Sequence, residues 1–297
     1  MVSQIIPQRK RIMFFLLGMA LCLSMGLQHC SAGILYVDNR QGSDGNDGRA
    51  SKPAGMGTGP TRTIGKAIAL AKQGDTIIVS NTGTPYYESI TIAGRRLSGV
   101  SGLPFTLIGN GAIVDGSRPV PANAWKNVGG NVWKIRPWRK GHYQLLLNNQ
   151  PVPEVRPAQR PQSRPKLAVG QWTAWKGEIF YRSAPLTSPL EKPFRFAYHS
   201  VGLTLYNARD VQVMDLTFRG FRLDGVNAHD LCERVTLEKV QMHSNGRAGF
   251  TVAGSSAVLM RNCTLEKNRL HSALISELGG VKIENSKLSK PPTLPSK

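Results

Sequence analysis

The chain has 297 residues and carries 38 Lys and Arg against 18 Asp and Glu, a formal charge of +20. That length supports one elongated domain with its own core, and the basic excess concentrates polyanions near the surface. Its four cysteines lack any zinc-site spacing, and no apolar run reaches the ~20 residues of a membrane-spanning helix.

Residues 1–32 read as an export signal. Arg9, Lys10 and Arg11 form a basic stub, residues 12–27 are almost wholly apolar, and Cys30, Ser31 and Ala32 supply small residues before a cut. The mature protein is then expected to be secreted: extracellular, periplasmic or on the cell surface. It keeps two cysteines, Cys232 and Cys263. No integral span remains after the signal is removed. For an exported chain of this charge the expected partner is acidic polysaccharide rather than nucleic acid.

Residues 33–117 are expected to hold an N-terminal cap and the first coils of a solenoid. A strand at 34–37 leads into the Gly/Asp-rich run 42–48, which lacks the terminal Glu and spacing of an EF-hand and reads as tight turns. Residues 63–72 read as a helix with Ile64, Ala67, Ile68 and Ala71 on one face and Gly74 just past its end. Short strands are expected at 76–79, 89–92, 105–108 and 112–114. A solenoid end exposes unpaired backbone and apolar interior, so this helix is assigned as the cap.

Residues 118–200 break the rhythm and form a β-rich insert. All five tryptophans fall there, and 121–182 hold 11 Lys or Arg against Glu154 and Glu178 alone. Strands are expected at 143–150 and 178–181, with a Pro- and Arg-rich loop over 151–165. Trp and Arg together suit sugar stacking and pairing with carboxylate or sulfate; the same tryptophans also suit the core of a small β-insert.

Residues 201–297 carry the strongest pattern. Segments 211–218, 235–242, 258–265 and 281–288 start 24, 23 and 23 residues apart, with apolar residues at positions one, three, six and eight except at Ser286, which breaks the sixth column in the last. Strict alternation would place the third inward residue at position five, so the slip marks two short strands joined by a corner. Asn262 and Asn285 fall at that corner, where positive φ is wanted, and stacked Asn side chains can bond between coils. A third strand follows in each coil, at 226–228, 250–252 and 273–275. Three short strands per coil describe a parallel β-helix. Leu237 should be buried in the third column, and Cys263 in the inward sixth. Cys232 falls in a turn. The run 291–297 brings no capping helix, so either a partner covers that end or the chain is a shortened relative.

Tyr36-Val-Asp38, the Gly/Asp run, Arg62-Thr-Ile-Gly-Lys-Ala67 and residues 74–79 resemble the opening of secreted proteins of the pectate-lyase-like superfamily, and residues 108–116 are similar to their early coils. The turn Leu147-Asn-Asn-Gln-Pro151 resembles the β-hairpin insert of some β-helical glycosidases. The resemblance implies an all-β, right-handed parallel β-helix with an N-terminal capping helix and a β-rich insert. It implies less about chemistry, since that superfamily spans lyases, hydrolases, epimerases and non-enzymatic adhesins.

In that superfamily the third strand floors the substrate groove. Its outward residues here are Asn227, His229, Thr251, Ala253, Leu274 and Ser276, with Arg219, Arg222 and Asp224, His243, Asn245 and Arg247, and Lys267, Asn268, Arg269 and His271 in the loops before it. Two reactions fit. In uronate β-elimination, placed first, a base takes the proton α to the carboxylate while a cation stabilises the enolate. Arg247, Arg269, His271 or Lys267 are candidates, with Asp224 and Asp230 as calcium ligands. In hydrolysis, Asp224 pairs with Asp230 or Glu277. The candidate catalytic set is therefore Asp224, His229, Asp230, Arg247 and His271. Asn227, Arg222, Arg269, Trp138, Trp172 and Trp175 are candidate substrate contacts, and calcium is the only candidate cofactor. A non-catalytic binding or surface protein is the alternative from another class, with Asn, Asp and His merely finishing solenoid turns.

Overall fold

The computed structural model describes residues 32–159 and 161–294; residues 1–31 of the expected export signal lie outside them. The four repeats stack in register. Val211, Val235, Val258 and Val281 form one ladder, and Val213, Leu237, Met260 and Ile283 a second. Phe218, Met242, Leu265 and Leu288 form a third. Leu237 is fully buried and Cys263 nearly so. Cys232, in its turn, is buried as well, and both thiols are free.

These ladders belong to a long parallel sheet running through Ile34–Val37, Thr76–Val79, Phe105–Asp115, Arg209–Arg219, Glu233–Glu238, Ala257–Arg261 and Gly280–Glu284. A second parallel sheet joins Ile90–Ala93, Val201–Tyr206, Asp224–His229, Ala248–Val252 and His271–Ile275. Val226, Ala228, Phe250, Val252 and Ala273 point from it into the core shared with the first sheet. The described chain is thus a right-handed parallel β-helix.

Each coil turns at three corners, and each corner is a column of left-handed residues. The first column is Asp215, Lys239, Asn262 and Asn285, with φ of 51°, 55°, 54° and 45°. The second is Gly220, Ser244 and Lys267, and the third Asn207, Asp230, Gly254 and Glu277. Asn262 does not stack on Asn285 but donates to the Glu238 carboxylate, 2.6 Å away. The asparagine ladder lies elsewhere. Asn245 and Asn268 are buried, Asn245 Nδ2 donates to Asn268 Oδ1 at 3.0 Å, and Phe221 N–H donates to Asn245 Oδ1 at 3.0 Å. Both side chains serve the interior, although Asn268 also borders a surface cavity with Glu154 and Arg269.

The helix spans Ile64–Leu70, shorter than expected because Ala71 is already extended. Thr63 Oγ1 caps it by accepting from Lys66 N–H, and the Glu88 carboxylate accepts from Ile64 and Gly65 N–H at 2.9 and 2.8 Å. Its Ile64, Ala67 and Ile68 are buried in the core that the first coils share. In the Gly/Asp run, Asp44 accepts from Arg62 and Thr63 N–H and Asp47 from Arg49 N–H, so these carboxylates pin turns.

The insert leaves the solenoid at Ser117–Pro119 and the chain rejoins it at Val201–Tyr206. It holds two antiparallel four-stranded sheets. The strand expected over 143–150 is instead the hairpin Leu145–Leu147 and Gln150–Pro151, turning through Asn148 and Asn149 at φ 51° and 60°, the left-handed pair of a two-residue hairpin loop. Trp125, Tyr143, Trp172, Tyr181 and Phe194 pack the insert's core. Trp172 is fully buried and donates its indole N–H to Val152 O at 2.9 Å. It is a core residue, and its assignment as a sugar contact is corrected.

Candidate active-site groove

The outward face of the second parallel sheet carries an open cavity of about 370 Å³, lined among others by Asn227, His229, Asp230, Arg247, Thr251 and Glu277. Asn227 and Thr251 are paired across adjacent coils. Asn227 Oδ1 and Thr251 Oγ1 are both buried and have no hydrogen-bond partner among the described residues. Buried polar atoms are rarely left so; here both residues line the open cavity.

The two carboxylates reach this cavity from one corner column. Asp230 ends its strand in the left-handed region, and the hydrogen bond to its carboxylate pushes the Tyr206 hydroxyl's pKa up. Glu277 holds the same column two coils on and accepts from Gly254 N–H at 2.7 Å. Gly254 fills the coil between: at φ +65°, a Cβ there would lie 2.5 Å from Asp230 O. Glu277 therefore reaches back one coil, leaving one to two coil steps to Asp230, roughly 5–10 Å at ~4.8 Å per step. Asp and Gly suit a left-handed corner on conformational grounds alone. Glu does not, and the Glu277 carboxylate is spent in part on the Gly254 N–H.

Asp224 does not join them. It is fully buried and both its oxygens are taken by Arg247, Nε at 2.9 Å and Nη2 at 2.5 Å. Burial works against the Arg247 charge, but this hydrogen-bonded pair outweighs it and holds the guanidinium above its ordinary pKa. Asp224 and Asp230 bracket the strand Asp224–His229, of six residues, which puts their backbones ~20 Å apart. They do not fit a shared calcium ion, and among the described residues no three His, Cys, Asp or Glu side chains converge as a metal site. The Asp224–Asp230 pairing is therefore corrected for both metal binding and hydrolysis.

Near the start of the same strands a second cluster forms where the insert folds back. Gly246 is the point of closest approach: a Cβ there would meet His142 O at 2.2 Å and Arg222 O at 2.4 Å. Arg222 donates to Lys140 O at 2.8 Å and Ser200 Oγ at 3.0 Å. Arg269 grips Glu154 of the insert with bonds of 2.7 and 2.6 Å, and Lys267 reaches Gln150. Arg222 and Arg269, read from sequence as substrate contacts, hold the insert on the solenoid. His271 lies one coil beyond Arg247, its Nδ1 3.0 Å from Thr293 Oγ1; burial and then the Lys290 charge hold its pKa down.

One member of this cluster was absent from the sequence-derived set. His142 presents a buried Nδ1 with no partner among the described residues, and burial followed by the charges of Arg247 and Arg269 lowers its pKa. It lies over a hundred positions from Arg247, inside the insert, and no local motif marks it. Of the remaining candidates, Trp138 is 94% exposed on the insert, and Trp175 packs on Phe180 with Lys176 over its ring.

Residues 194–290 match the family described as right handed beta helix region. No curated protein matches the chain. A solved structure described as a glycoside hydrolase aligns at 11% identity with a TM-score of 0.57, covering 83% of this chain and 68% of that one. XylC in complex with xylose aligns at 12% identity and TM-score 0.44, covering 85% of this chain. A GH136 lacto-N-biosidase from Eubacterium ramulus aligns at 12% identity and TM-score 0.40, covering 84%. The chain spans 62% and 43% of the length of those two structures. At such identities the likeness is one of fold.

Proposed function

We propose that this is an exported carbohydrate-active β-helix protein that binds acidic polysaccharide along the second parallel sheet and hydrolyses its glycosidic bonds with Asp230 and Glu277. The observation that carries the reading is the shared cavity, where two carboxylates meet two buried, unpartnered polar atoms of Asn227 and Thr251. One carboxyl group protonates the leaving oxygen while the other acts on the opposite face of the sugar, as nucleophile or through water. Separations of roughly 5–10 Å cover both arrangements. Asn227 and Thr251 offer hydrogen bonds to ring hydroxyls, and the formal charge, +20 for the full chain and +17 once Arg9, Lys10 and Arg11 leave with the signal, favours an anionic chain. A β-helix described as a glycoside hydrolase is among the solved neighbours, so the scaffold is one that hosts this chemistry.

β-Elimination stands second, on one observation. His142 is a base held neutral beside Arg247 and Arg269, the combination that proton abstraction next to a uronate carboxylate needs. Those guanidiniums are already paired with Asp224 and Glu154, which weakens their hold on a substrate carboxylate and places hydrolysis ahead.

The test is turnover of a glycan panel by the full chain. Hydrolysis releases reducing ends with no unsaturated, ultraviolet-absorbing product, and Asp230→Asn and Glu277→Gln each lower the rate by about 100-fold or more. Absorbing product that disappears in His142→Ala selects elimination. Full activity in both carboxylate variants removes the hydrolytic assignment, and binding without turnover of any glycan leaves a non-catalytic polysaccharide-binding protein.

A further inference from the structure

The insert holds a second cavity, about 310 Å³, whose walls include Arg118, Val120, Ile135, Arg136, Trp138 and Tyr198. Its floor is apolar and aromatic, with the rings of Phe196 and Tyr198 edge to face at 6.1 Å. Its rim is cationic: the Arg118 guanidinium lies 3.6 Å over the Tyr198 ring and that of Arg139 5.3 Å over the same ring. No carboxylate lines it, and two of the insert's three glutamates, Glu154 and Glu178, are occupied by Arg269 and Lys134. Trp138, at 94% exposure, leaves a large aromatic face in water at the edge of this cleft, an unfavourable place for an indole without a partner. Aromatic faces stack on the C–H face of a pyranose, and guanidiniums pair with its carboxylate.

We infer that this cleft is a second carbohydrate subsite, one that holds a uronic acid residue of the polysaccharide chain, stacked on Trp138 and paired with Arg118 and Arg136. This rests on the polysaccharide reading above and names the sugar class. The cleft and the groove are joined through the backbone. Lys140 and Gly141, a few residues beyond Trp138, accept from Arg222, and Arg222 O lies against Gly246, the neighbour of Arg247, which lines the groove. A chain cleaved at Asp230 and Glu277 would run past Arg247 and His142 to an anchor on the insert. The anchor supplies affinity for acidic sugars without touching the scissile bond.

The experiment titrates the full chain with an oligogalacturonate and with a neutral cello-oligosaccharide of equal length, by calorimetry. The unaltered chain is expected to bind the uronate oligomer and to prefer it over the neutral one. Trp138→Ala should weaken that binding at least about tenfold, a shift of ~1.4 kcal/mol. The double change Arg118→Gln with Arg136→Gln should erase the preference for uronate. All three side chains are exposed, so melting temperature should not move, and a drop in it would void a variant in favour of Trp138→Phe and Arg118→Lys, expected to retain binding. Asp230→Asn should lose turnover yet keep the preference for the uronate oligomer, which separates anchoring from cleavage. Unchanged uronate binding in both the Trp138 and the arginine variants overturns the inference while leaving groove hydrolysis standing. Trp138-dependent binding in a chain that hydrolyses nothing upholds the subsite and removes only the catalytic reading.

Discussion

Arg247 is stretched between two tasks. Its guanidinium neutralises the fully buried Asp224 while its side chain borders the open cavity. Removing it leaves a carboxylate in the interior with no counter-charge, so Arg247→Ala should cost of order 3 kcal/mol in denaturant unfolding, whereas Arg247→Lys, which keeps the charge but loses the two-pronged bond, should cost less. Equal stability of the alanine variant and the unaltered chain would mean that water reaches Asp224. A few residues away in the chain, His243 stands in an outward column between Arg219 and Glu266. Burial, then the charges of Arg219 and Lys267, lower its pKa, and the same direction holds for His142, His199 and His271. A folded pKa below the unfolded value of about 6.5 means that the unfolded chain binds more protons as pH falls. The stability tied to these neutral rings is therefore complete above about pH 6.5 and is lost as pH drops through that value toward the folded one. Melting temperature should fall on acidification across that window, and His243→Asn should flatten part of the slope. A slope untouched by the substitution would reassign it to the other three histidines.

At the scale of the element, the corner columns explain how much was legible and how much was not. The spacing of 211–218 and its three copies is a packing pattern, and packing is what hydrophobic periodicity reports, so the coils and their inward ladders could be read directly. Corners are set by φ, and sequence marks φ only when Gly, Asn or Asp occupies the position. Asn262 and Asn285 announced one column, but Lys239 shares it at φ 55° without any local sign. The groove followed the same division. Asn227 and His229 could be placed from strand alternation, and Arg247 and Asp230 from the polar residues flanking those strands, while His142 and the Glu154–Arg269 bond depend on the insert's return over 115 positions, which no local pattern encodes. Lys239 offers the test of the corner argument. It is exposed, its N–H bonds to Arg261 O at 3.0 Å, and the left-handed cost falls on its Cβ. Lys239→Gly should relieve that cost, partly offset by the greater freedom of an unfolded glycine, for a net gain of about 0.5–1 kcal/mol. A loss of stability would show that the lysine stem covers apolar surface worth more than the backbone strain.

For the whole molecule the question is what the surplus of positive charge does. Among the described residues, ion pairs join eight carboxylates, Asp115, Asp210, Asp224 and Glu154 among them, to nine basic side chains, so basic side chains outside such pairs outnumber those within them. Such pairs tie the coils and the insert together, and what remains is an external field. Because exposed charges are screened beyond ~10 Å at 0.1 M salt, that field attracts an anionic chain at low ionic strength and weakens steadily as salt rises. Short-range stacking and hydrogen bonding at Trp138, Asn227 and Thr251 are screened far less. The two contributions are therefore separable on one column. The full chain should be retained by immobilised polygalacturonate at low salt and elute late in a salt gradient. Trp138→Ala should elute earlier, and a neutral glucan should retain both weakly. If neutral and acidic matrices hold the chain equally, charge is not the basis of recognition, and the unpartnered polar atoms of the groove with the exposed indole become the whole of it. If instead the gradient releases the unaltered and Trp138→Ala chains together, the field alone does the holding, and the insert cleft contributes no recognition of its own.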